Sequence, residues 1–492
     1  MLLVLATGLT RFVCRSRYLY DIDSINFALA TGRFDPAVHQ PHPPGYLLYV
    51  WLAKLVMVAI HEPNAALVAI SIGASCGAAA MIFLLTRAWF GAESARFAAL
   101  LFVFSPLTWF HGTVALTYIV EMFFSALTGY LCWKRSSCRS GFVLGLAAGF
   151  RPSSLLFLGP LFFFSLRGVA RRRQLLATAI LIATVLAWLV PMIRLSGGLS
   201  VFSSSLFGLW NTVPGRESIL NSSLANTLAR FLTIVLIYGL CFGAAAILPF
   251  LWRPPGGQIS NGHLAVFTLV WICPGALFFT FVFLKFVNSG YLLVLSPPLF
   301  AWLGRCASRW WRAGGASRPV WRLAVAGACL TANLLIFLFA PIYCSYSSVR
   351  KFEREFAGVL ASLPGVASPR DTLIVGFDSH FMGYRHAGYY LPDYVTIEYP
   401  RVRAASGPGI STMEHKDTRI SPALPPQRYS RFILFPLPSA DSAYSTYMAG
   451  IQSKLAGSGL QRVTSAERTF ITGPVSALEA LYPPESSAGG ER

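Results

Sequence analysis

The feature that most constrains this chain is a succession of apolar segments, most of them close to the length that crosses a bilayer as a helix. A hydrocarbon core roughly 30 Å thick requires about 20 mostly apolar residues. Only 12% of the 492 residues are charged and 55% are hydrophobic, whereas soluble domains are about one-quarter charged. We therefore predict a polytopic α-helical membrane protein. The candidate spans are residues 2–13, 65–86, 96–110, 118–133, 141–166, 174–193, 230–252, 264–284, 289–304 and 320–340.

The basic residues indicate how these spans cross the membrane. The net charge of +20 comes from short clusters between apolar segments, which is typical of topology signals and not of a nucleic-acid partner. Placing every cluster in the cytoplasm requires residues 141–166 to form a hairpin broken at Arg151. It also requires residues 46–60 to lie on the outer surface. The result is about eleven transmembrane helices, with the N-terminus inside and the C-terminus outside.

Acidic residues divide the chain into two parts. Only seven of the 20 precede residue 340, so we expect a membrane module at residues 1–341, with a first outer loop at about 14–64, and an extracytoplasmic domain at 342–492. Residues 2–13 are expected to be a retained helix, because no basic segment precedes them as in a signal peptide. The domain is predicted to be a small α/β fold with a disordered tail at about 483–492. Its predicted strands are 372–376, 394–398 and 431–435, and its predicted helices are 348–363 and 442–456.

The first outer loop is unusually rich in groups that can do chemistry. Residues 20–49 include Asp21, Asp23, Asp35, His39 and His42 together with four prolines. Asp23 is expected to cap the following helix, and the prolines fix φ around the histidines. Three alternatives stay open for the acids: a helix cap, a solvated loop residue, or ligands of a divalent metal. Histidines held in a rigid loop suit an anionic headgroup, but they could also be incidental to a turn that starts the next helix.

Glu121 and Arg151 are ionisable residues predicted inside the membrane module, and Lys285 lies near a late helix. Glu121 follows Thr117-Tyr118 at the outer end of its span, where a charge is costly and therefore a functional candidate. Its alternative is a buried acid paired with His111 or Arg151. Lys285 is either an anchor at the membrane interface or a ligand of a lipid phosphate.

Residues 20–49 resemble the first outer loop of the GT-C superfamily of membrane glycosyltransferases. Within it, the protein O-mannosyltransferase and aminoarabinose transferase group has the most similar pattern. The matching motifs are Asp23-Ser24-Ile25-Asn26-Phe27-Ala28 and His42-Pro43-Pro44-Gly45-Tyr46-Leu47-Leu48-Tyr49. The run from Lys285 through Tyr291 to Pro298 resembles a late segment of the same family. Ser24 replaces the usual second acid, and His42 stands where the aminoarabinose enzymes have lysine, so the acceptor class does not carry over.

The resemblance implies an inverting glycosyltransferase that uses a polyprenyl-phosphate sugar donor at the outer face of the cell (inner) membrane. Asp23 would be the general base, with Asp21 or Glu121 orienting it or sharing charge. His42, Arg151 and Lys285 would neutralise the donor phosphate, with Tyr291 as a hydrogen-bond partner and His39 in support. The acceptor could be a lipid, a glycan or a protein. The alternatives from other classes are a multi-span transporter or lipid-linked-sugar flippase, and a membrane scaffold without chemistry.

Overall fold

The chain folds into two compact units, each built from segments distant in sequence. This computed structural model describes residues 1–482 except 213, 249–261, 314–319, 401, 405–406, 425–428, 437–450, 452, 455–456, 458 and 467. Unit 1 consists of Met1–Ser16, Tyr46–Arg194 and Leu209–Val349. Unit 2 consists of Arg17–Gly45, Leu195–Gly208 and Arg350–Arg492.

Helices dominate the described part of the chain. Six of them are long and apolar enough to cross a membrane, which supports an integral membrane protein. These six are Pro63–Phe90, Arg171–Leu195, Leu224–Ile247, Gly262–Phe281, Phe286–Arg312 and Val320–Phe339. In chain order the helices are α1 Leu2–Cys14, α2 Ile22–Gly32, α3 Leu47–Met57, α4 Pro63–Phe90, α5 Ala92–Val103, α6 Pro106–His111, α7 Tyr118–Trp133, α8 Ser137–Phe150, α9 Ser153–Ser165, α10 Arg171–Leu195, α11 Leu199–Thr212, α12 Pro214–Glu217, α13 Leu224–Phe242, α14 Gly262–Phe281, α15 Ser296–Arg312, α16 Val320–Phe339, α17 Tyr346–Ser362, α18 Tyr384–Tyr390 and α19 Leu478–Leu481.

Two breaks in these helices follow from proline. Helix α8 ends at Phe150 and α9 begins at Ser153, so the break predicted at Arg151-Pro152 is confirmed. The predicted span 96–110 is wrong as a single helix, because α5 ends at Val103 and α6 begins at Pro106. Proline disfavours the helical conformation of the residue before it, and Ser105 accordingly has an extended backbone and caps α6.

Among its described residues, unit 2 is organised around an eight-stranded sheet, which confirms that the C-terminal part of the chain contains a sheet domain. The strands are β1 Thr372–Phe377, β2 Thr396–Tyr399, β3 Val402–Ala404, β4 Gly407–Glu414, β5 Asp417–Ser421, β6 Arg431–Leu434, β7 Gln461–Ser465 and β8 Arg468–Pro474. Strands β2, β1 and β6 run parallel at the centre of the sheet, and the flanking pairs are antiparallel. The strand order is β3-β4-β2-β1-β6-β8-β7, with β5 paired to β4.

The sheet core is apolar, and its central strands lie where the sequence predicts them. Val375, Ile397 and Phe432 of the three parallel strands are all fully buried in one hydrophobic cluster. The predicted helix 348–363 corresponds to α17. Most of the predicted helix 442–456, and all of the tail 483–492, lie outside the described residues. The carboxyl end of β1 leads directly into the loop that carries His380.

Candidate active site

Arg151 and Glu121 form an ion pair in the interior of unit 1. Arg151 directly follows α8, and Glu121 lies in the first turn of α7. Arg151 Nε lies 2.9 Å from Glu121 Oε2, without the alignment of a hydrogen bond. The two residues are only 5% and 2% exposed. A single charge at this depth would be costly, so each residue depends on the other.

Hydroxyl groups hold both partners of this pair. The hydroxyls of Ser153 and Ser154, at the start of α9, each donate to Glu121 Oε1 at 3.0 Å. Arg151 Nη1 donates to the Thr117 hydroxyl at 2.7 Å. Of the two partners that the sequence allowed for Glu121, the structure therefore selects Arg151.

Three tyrosine rings surround the Arg151 guanidinium. Its Cζ lies 4.5 Å from the ring centroid of Tyr118, 4.6 Å from that of Tyr291 and 5.7 Å from that of Tyr46. Tyr46 has a φ of +48°, a left-handed conformation that is uncommon outside glycine and concentrates at functional sites. Among the described residues, none accepts a hydrogen bond from Arg151 Nη2. The enclosure therefore presents a cation with a donor available to an anion.

Gly290→Ala is expected to displace the Tyr118 ring and loosen this enclosure. A Cβ at Gly290 would lie 2.3 Å from Tyr118 Cγ and 2.8 Å from His111 Cε1. Overpacking of this kind costs about 1–3 kcal/mol, so we expect a lower unfolding temperature, measured on the purified full-length chain. Gly239→Ala in α13 is the control, because nothing lies within 4 Å of a Cβ there. Equal unfolding temperatures for the two variants would contradict the tight packing at Gly290.

Lys285 is paired with Glu217, a residue that the sequence did not single out. Lys285 Nζ lies 2.8 Å from Glu217 Oε1, and the two side chains are 48% and 33% exposed. Lys285 immediately precedes the 3-10 segment Phe286–Leu295, which carries Tyr291. Glu217 offsets part of the Lys285 charge, but the ammonium has further N–H donors that a phosphate could accept from.

In unit 2, the start of α2 brings Asp21, Asp23 and His42 together. Asp21, and not Asp23 as the sequence suggested, caps α2, since Asp21 Oδ1 accepts from the Asp23 amide at 2.9 Å. Asp23 lies in the first turn, where a carboxylate also favours the helix dipole. His42 Nδ1 lies 3.1 Å from Asp23 Oδ1, and the side chains are 16% and 24% exposed. The predicted base is thus in contact with an imidazole.

Asp21 has a second partner, His380, from the loop after β1. His380 Nδ1 lies 3.5 Å from Asp21 Oδ2, and the His380 carbonyl accepts from the Ile22 amide at 2.9 Å. Burial lowers the pKa of His380, but the hydrogen bond and charge of Asp21 raise it to about 9. Burial raises the pKa of Asp21, but His380 and the Asp23 amide bring it below its ordinary value. Both groups are therefore charged at neutral pH.

We expect this pair to make the stability of unit 2 depend on pH. The Asp21 contribution is present above pH 3.8 and lost as the pH falls through its lower folded pKa. The His380 contribution is present below pH 6.5 and lost as the pH rises through about 9. Because the His380 side chain is 44% exposed, His380→Asn should cost only about 1 kcal/mol at pH 5–6, and less at pH 10.

Thermal unfolding of the wild type and His380→Asn between pH 5 and pH 10 measures this difference. His415→Asn, in the exposed turn between β4 and β5, is the matched control and should show no such trend. A cost of His380→Asn that is the same at pH 6 and pH 10 would contradict a charged pair.

Hydrogen bonds hold the rest of residues 17–45 against the sheet. Arg385 donates to the Val38 carbonyl at 2.8 Å and to the His39 carbonyl at 3.4 Å, and Gln40 Nε2 donates to the Thr418 hydroxyl at 3.0 Å. His39 thus contributes its backbone to these contacts. Its φ of +60° ends the 3-10 turn Pro36–Val38. No cluster of three or more potential metal-ligating side chains occurs in the part of the chain that the structure describes.

Comparisons with known proteins identify the fold. No protein-family model and no curated protein sequence matches the chain. The structure of ArnT from Cupriavidus metallidurans bound to undecaprenyl phosphate is similar to it with a TM-score of 0.60 and 14% identity, covering 98% of this chain and 99% of ArnT. An Archaeoglobus fulgidus oligosaccharyltransferase in complex with zinc and sulfate is similar to this chain with a TM-score of 0.51 and 13% identity. The match covers 95% of this chain and 72% of the oligosaccharyltransferase chain. Both proteins are GT-C superfamily members.

The chain has a GT-C fold. The resemblance seen in residues 20–49 is thereby confirmed at the level of fold. Within this GT-C fold, the structure brings Glu121, Arg151 and Tyr291 together in unit 1. It brings Asp21, Asp23 and His42 together in unit 2.

Several contacts of these residues were not predicted from the sequence. Thr117, Ser153 and Ser154 touch the buried ion pair, but isolated hydroxyl residues carry little signal of their own. Tyr118 and Tyr46 lie inside the motifs described above. Because aromatic rings commonly pack on a cation, these tyrosines were the signal in the sequence that Arg151 has aromatic neighbours. His380 lies in a run, Phe377-Asp378-Ser379-His380, that follows a predicted strand, which is where side chains of an α/β sheet commonly act.

Proposed function

We propose that this chain is an inverting glycosyltransferase that moves a hexosyl or pentosyl group from a polyprenyl-phosphate donor to an acceptor hydroxyl. The acceptor would be a lipid, a glycan or a protein. The reaction would occur at the outer face of the cell (inner) membrane, in a protein with about eleven transmembrane helices and an extracytoplasmic α/β domain. The single observation that carries the proposal is the enclosed Arg151 guanidinium in a chain with the fold of ArnT.

The surroundings of Arg151 suit a lipid phosphate. Its guanidinium is buried, fixed by Glu121 and Thr117, and covered by three tyrosine rings. A guanidinium presents a planar set of donors that matches phosphate oxygens, and Nη2 is the donor without an acceptor among the described residues. Preorganised donors of this kind stabilise the charge that develops on a leaving group, because they need no rearrangement during reaction. The ArnT structure similar to this one contains undecaprenyl phosphate.

The chemistry requires one base and one stabilised leaving group. In the proposed step, the Asp23 carboxylate takes the proton of the acceptor hydroxyl, whose oxygen forms a bond to the anomeric carbon of the sugar. The bond from that carbon to the donor phosphate breaks, and the phosphate oxygen keeps the electron pair. Attack opposite to the leaving group inverts the anomeric centre. Phosphate is a good leaving group, so it does not need to be protonated as it leaves. Its negative charge needs only to be neutralised.

The other predicted residues have subordinate roles in this proposal. Asp21 orients the start of α2 and shares the charge of its first turn with Asp23. His42, next to Asp23, and Lys285, next to Glu217, would add positive charge to the donor phosphate. Tyr291 would donate a hydrogen bond to it. His39 supports the loop through its backbone.

Transfer of radiolabelled sugar tests the proposal directly. Membranes that contain this chain would be incubated with a panel of polyprenyl-phosphate monosaccharides, and labelled acceptor products and released polyprenyl phosphate would be measured. The control is the same membranes with the double variant Arg151→Gln/Glu121→Gln. Release of polyprenyl phosphate from at least one donor, dependent on Arg151, is the expected result. Movement of label across the bilayer without cleavage of any donor would instead show a transporter or flippase.

A further inference from the structure

A small cavity opens in unit 1 where α7 and α9 end and α14 begins. Its volume is about 160 Å³. Cys132 and Phe267, which are 2% and 1% exposed, are among its apolar lining residues. Trp133 and Phe164 also line it, and both of their rings contact the ring of His263, with centroids 5.6 and 5.8 Å apart. The cavity therefore has aromatic surfaces of the kind that proteins place at membrane interfaces.

Two arginines and a histidine stand at the exposed rim of this cavity. Arg135 and Arg167 follow the ends of α7 and α9, and His263 lies in the first turn of α14. All three residues are exposed. The Arg167 guanidinium lies 5.0 Å from the ring centroid of Phe164, so it is held over an aromatic face.

No acidic residue of unit 1 neutralises this rim. By sequence, unit 1 contains four acids, and each has a partner elsewhere. Glu62 caps α4, Glu93 pairs with Arg312, Glu121 pairs with Arg151, and Glu217 pairs with Lys285. The sequence between Glu121 and Glu217 has no Asp or Glu at all, and neither do residues 249–261 before α14. The rim therefore carries positive charge that no acidic residue of unit 1 balances, which favours an anionic ligand.

This cavity is separate from the Arg151 enclosure. Helix α7 has 16 residues, so its two ends lie about 24 Å apart at 1.5 Å per residue. Tyr118 and Glu121 are at one end, and Trp133 and Arg135 are at the other. An anion bound at the rim is thus well removed from the proposed donor phosphate.

We propose that this cavity binds the phosphate-bearing headgroup of an anionic membrane lipid, through Arg135 and Arg167. Basic pockets between membrane helices recognise such headgroups, and arginine forks match phosphate oxygens. The adjoining Trp133 and Phe164 rings would contact the apolar part of the lipid. A zwitterionic lipid such as phosphatidylcholine fits less well, because its positively charged ammonium group would be repelled by the arginines. The proposal is independent of the enzymatic activity.

Native mass spectrometry of the full-length chain tests this lipid-binding proposal. Bound lipids are counted during titration with phosphatidylglycerol or phosphatidylcholine. Loss of one arginine near an anionic lipid is worth roughly a factor of five. Arg135→Gln/Arg167→Gln should therefore weaken phosphatidylglycerol binding about 25-fold. The double lysine variant should bind better than the double glutamine variant, because it keeps both charges. Equal affinities for the two lipids, or wild-type binding by the double glutamine variant, would overturn the proposal.

Arg96→Gln is the matched control. Trp89 near the end of α4 packs on Trp133, with ring centroids 5.7 Å apart, so α5 begins on the same side of unit 1. Arg96 is exposed there and does not line the cavity, so its loss should leave binding unchanged. In the last part of the experiment, inorganic phosphate or glycerol phosphate is added as a competitor of the lipid. Displacement of the lipid by either at equal concentration would show a simple anion site and overturn the lipid assignment.

Discussion

Replacing Arg151 by glutamine is expected to lower sugar transfer by about 10²- to 10³-fold, the typical loss when one preorganised donor to a developing oxyanion is removed. The same change leaves Glu121 buried without its partner, 2.9 Å from where the guanidinium stood. An unpaired buried charge costs about 3–5 kcal/mol. The single variant should therefore lose both activity and stability, measured as transfer rate and unfolding temperature.

The double variant Arg151→Gln/Glu121→Gln separates these two effects. It leaves no unpaired buried charge, which is the source of the stability loss in the single variant. We expect an unfolding temperature close to that of the wild type, with transfer still as low as in the single variant. Arg139→Gln is the control, because Arg139 is exposed at the opposite end of α8. Wild-type transfer by the double variant would remove Arg151 from the reaction.

Replacing Asp23 by asparagine is expected to lower turnover by about 10²- to 10⁴-fold, the usual contribution of a general base. The fold should survive, because Asp21 is the residue that caps α2. The Asp23 side chain is 24% exposed, so its loss leaves no large cavity. Turnover at saturating donor, donor KM and unfolding temperature together distinguish this chemical loss from a structural one.

Asp21→Asn and Asp35→Asn make the test specific. Asparagine caps helices about as well as aspartate, so Asp21→Asn keeps the cap and removes the charge that faces His380. We expect it to lose less turnover than Asp23→Asn. Asp35 caps the 3-10 turn Pro36–Val38, and Asp35→Asn should be close to wild type. If Asp21→Asn abolishes turnover and Asp23→Asn does not, Asp21 is the base; if both retain it, the loop is not catalytic.

Features set by local chemistry were predictable from the sequence. The hairpin break at Arg151 follows from the proline next to it, and α7 has the bounds that its apolar run predicts. The scarcity of charge in unit 1 made Glu121 a candidate before any partner was known. The helix cap was assigned two residues too late, because Asp21 and Asp23 are equally good caps and only backbone geometry decides between them.

Partners distant in sequence were not predictable in this way. Nothing in a single sequence shows that Lys285 meets Glu217, or that His380 meets Asp21, because each pair is brought together by the tertiary fold. The choice of Arg151 over His111 as the partner of Glu121 likewise depends on how α7 packs against the α8–α9 hairpin. Motifs located the candidate segments, but packing determined which charged residues in those segments form pairs.

The attachment of residues 17–45 to the sheet has a consequence for how the chain is made. Gln40 and its partner Thr418 are 378 residues apart, and Val38 and Arg385 are 347 apart. At about 5–20 residues per second, the ribosome delivers the loop roughly 20–70 s before the strands that hold it. Throughout that interval the segment with Asp21 and Asp23 must wait without its partners Thr418 and Arg385. A stalled ribosome therefore yields helices already inserted in the bilayer, but an acidic loop still exposed to proteases and chaperones.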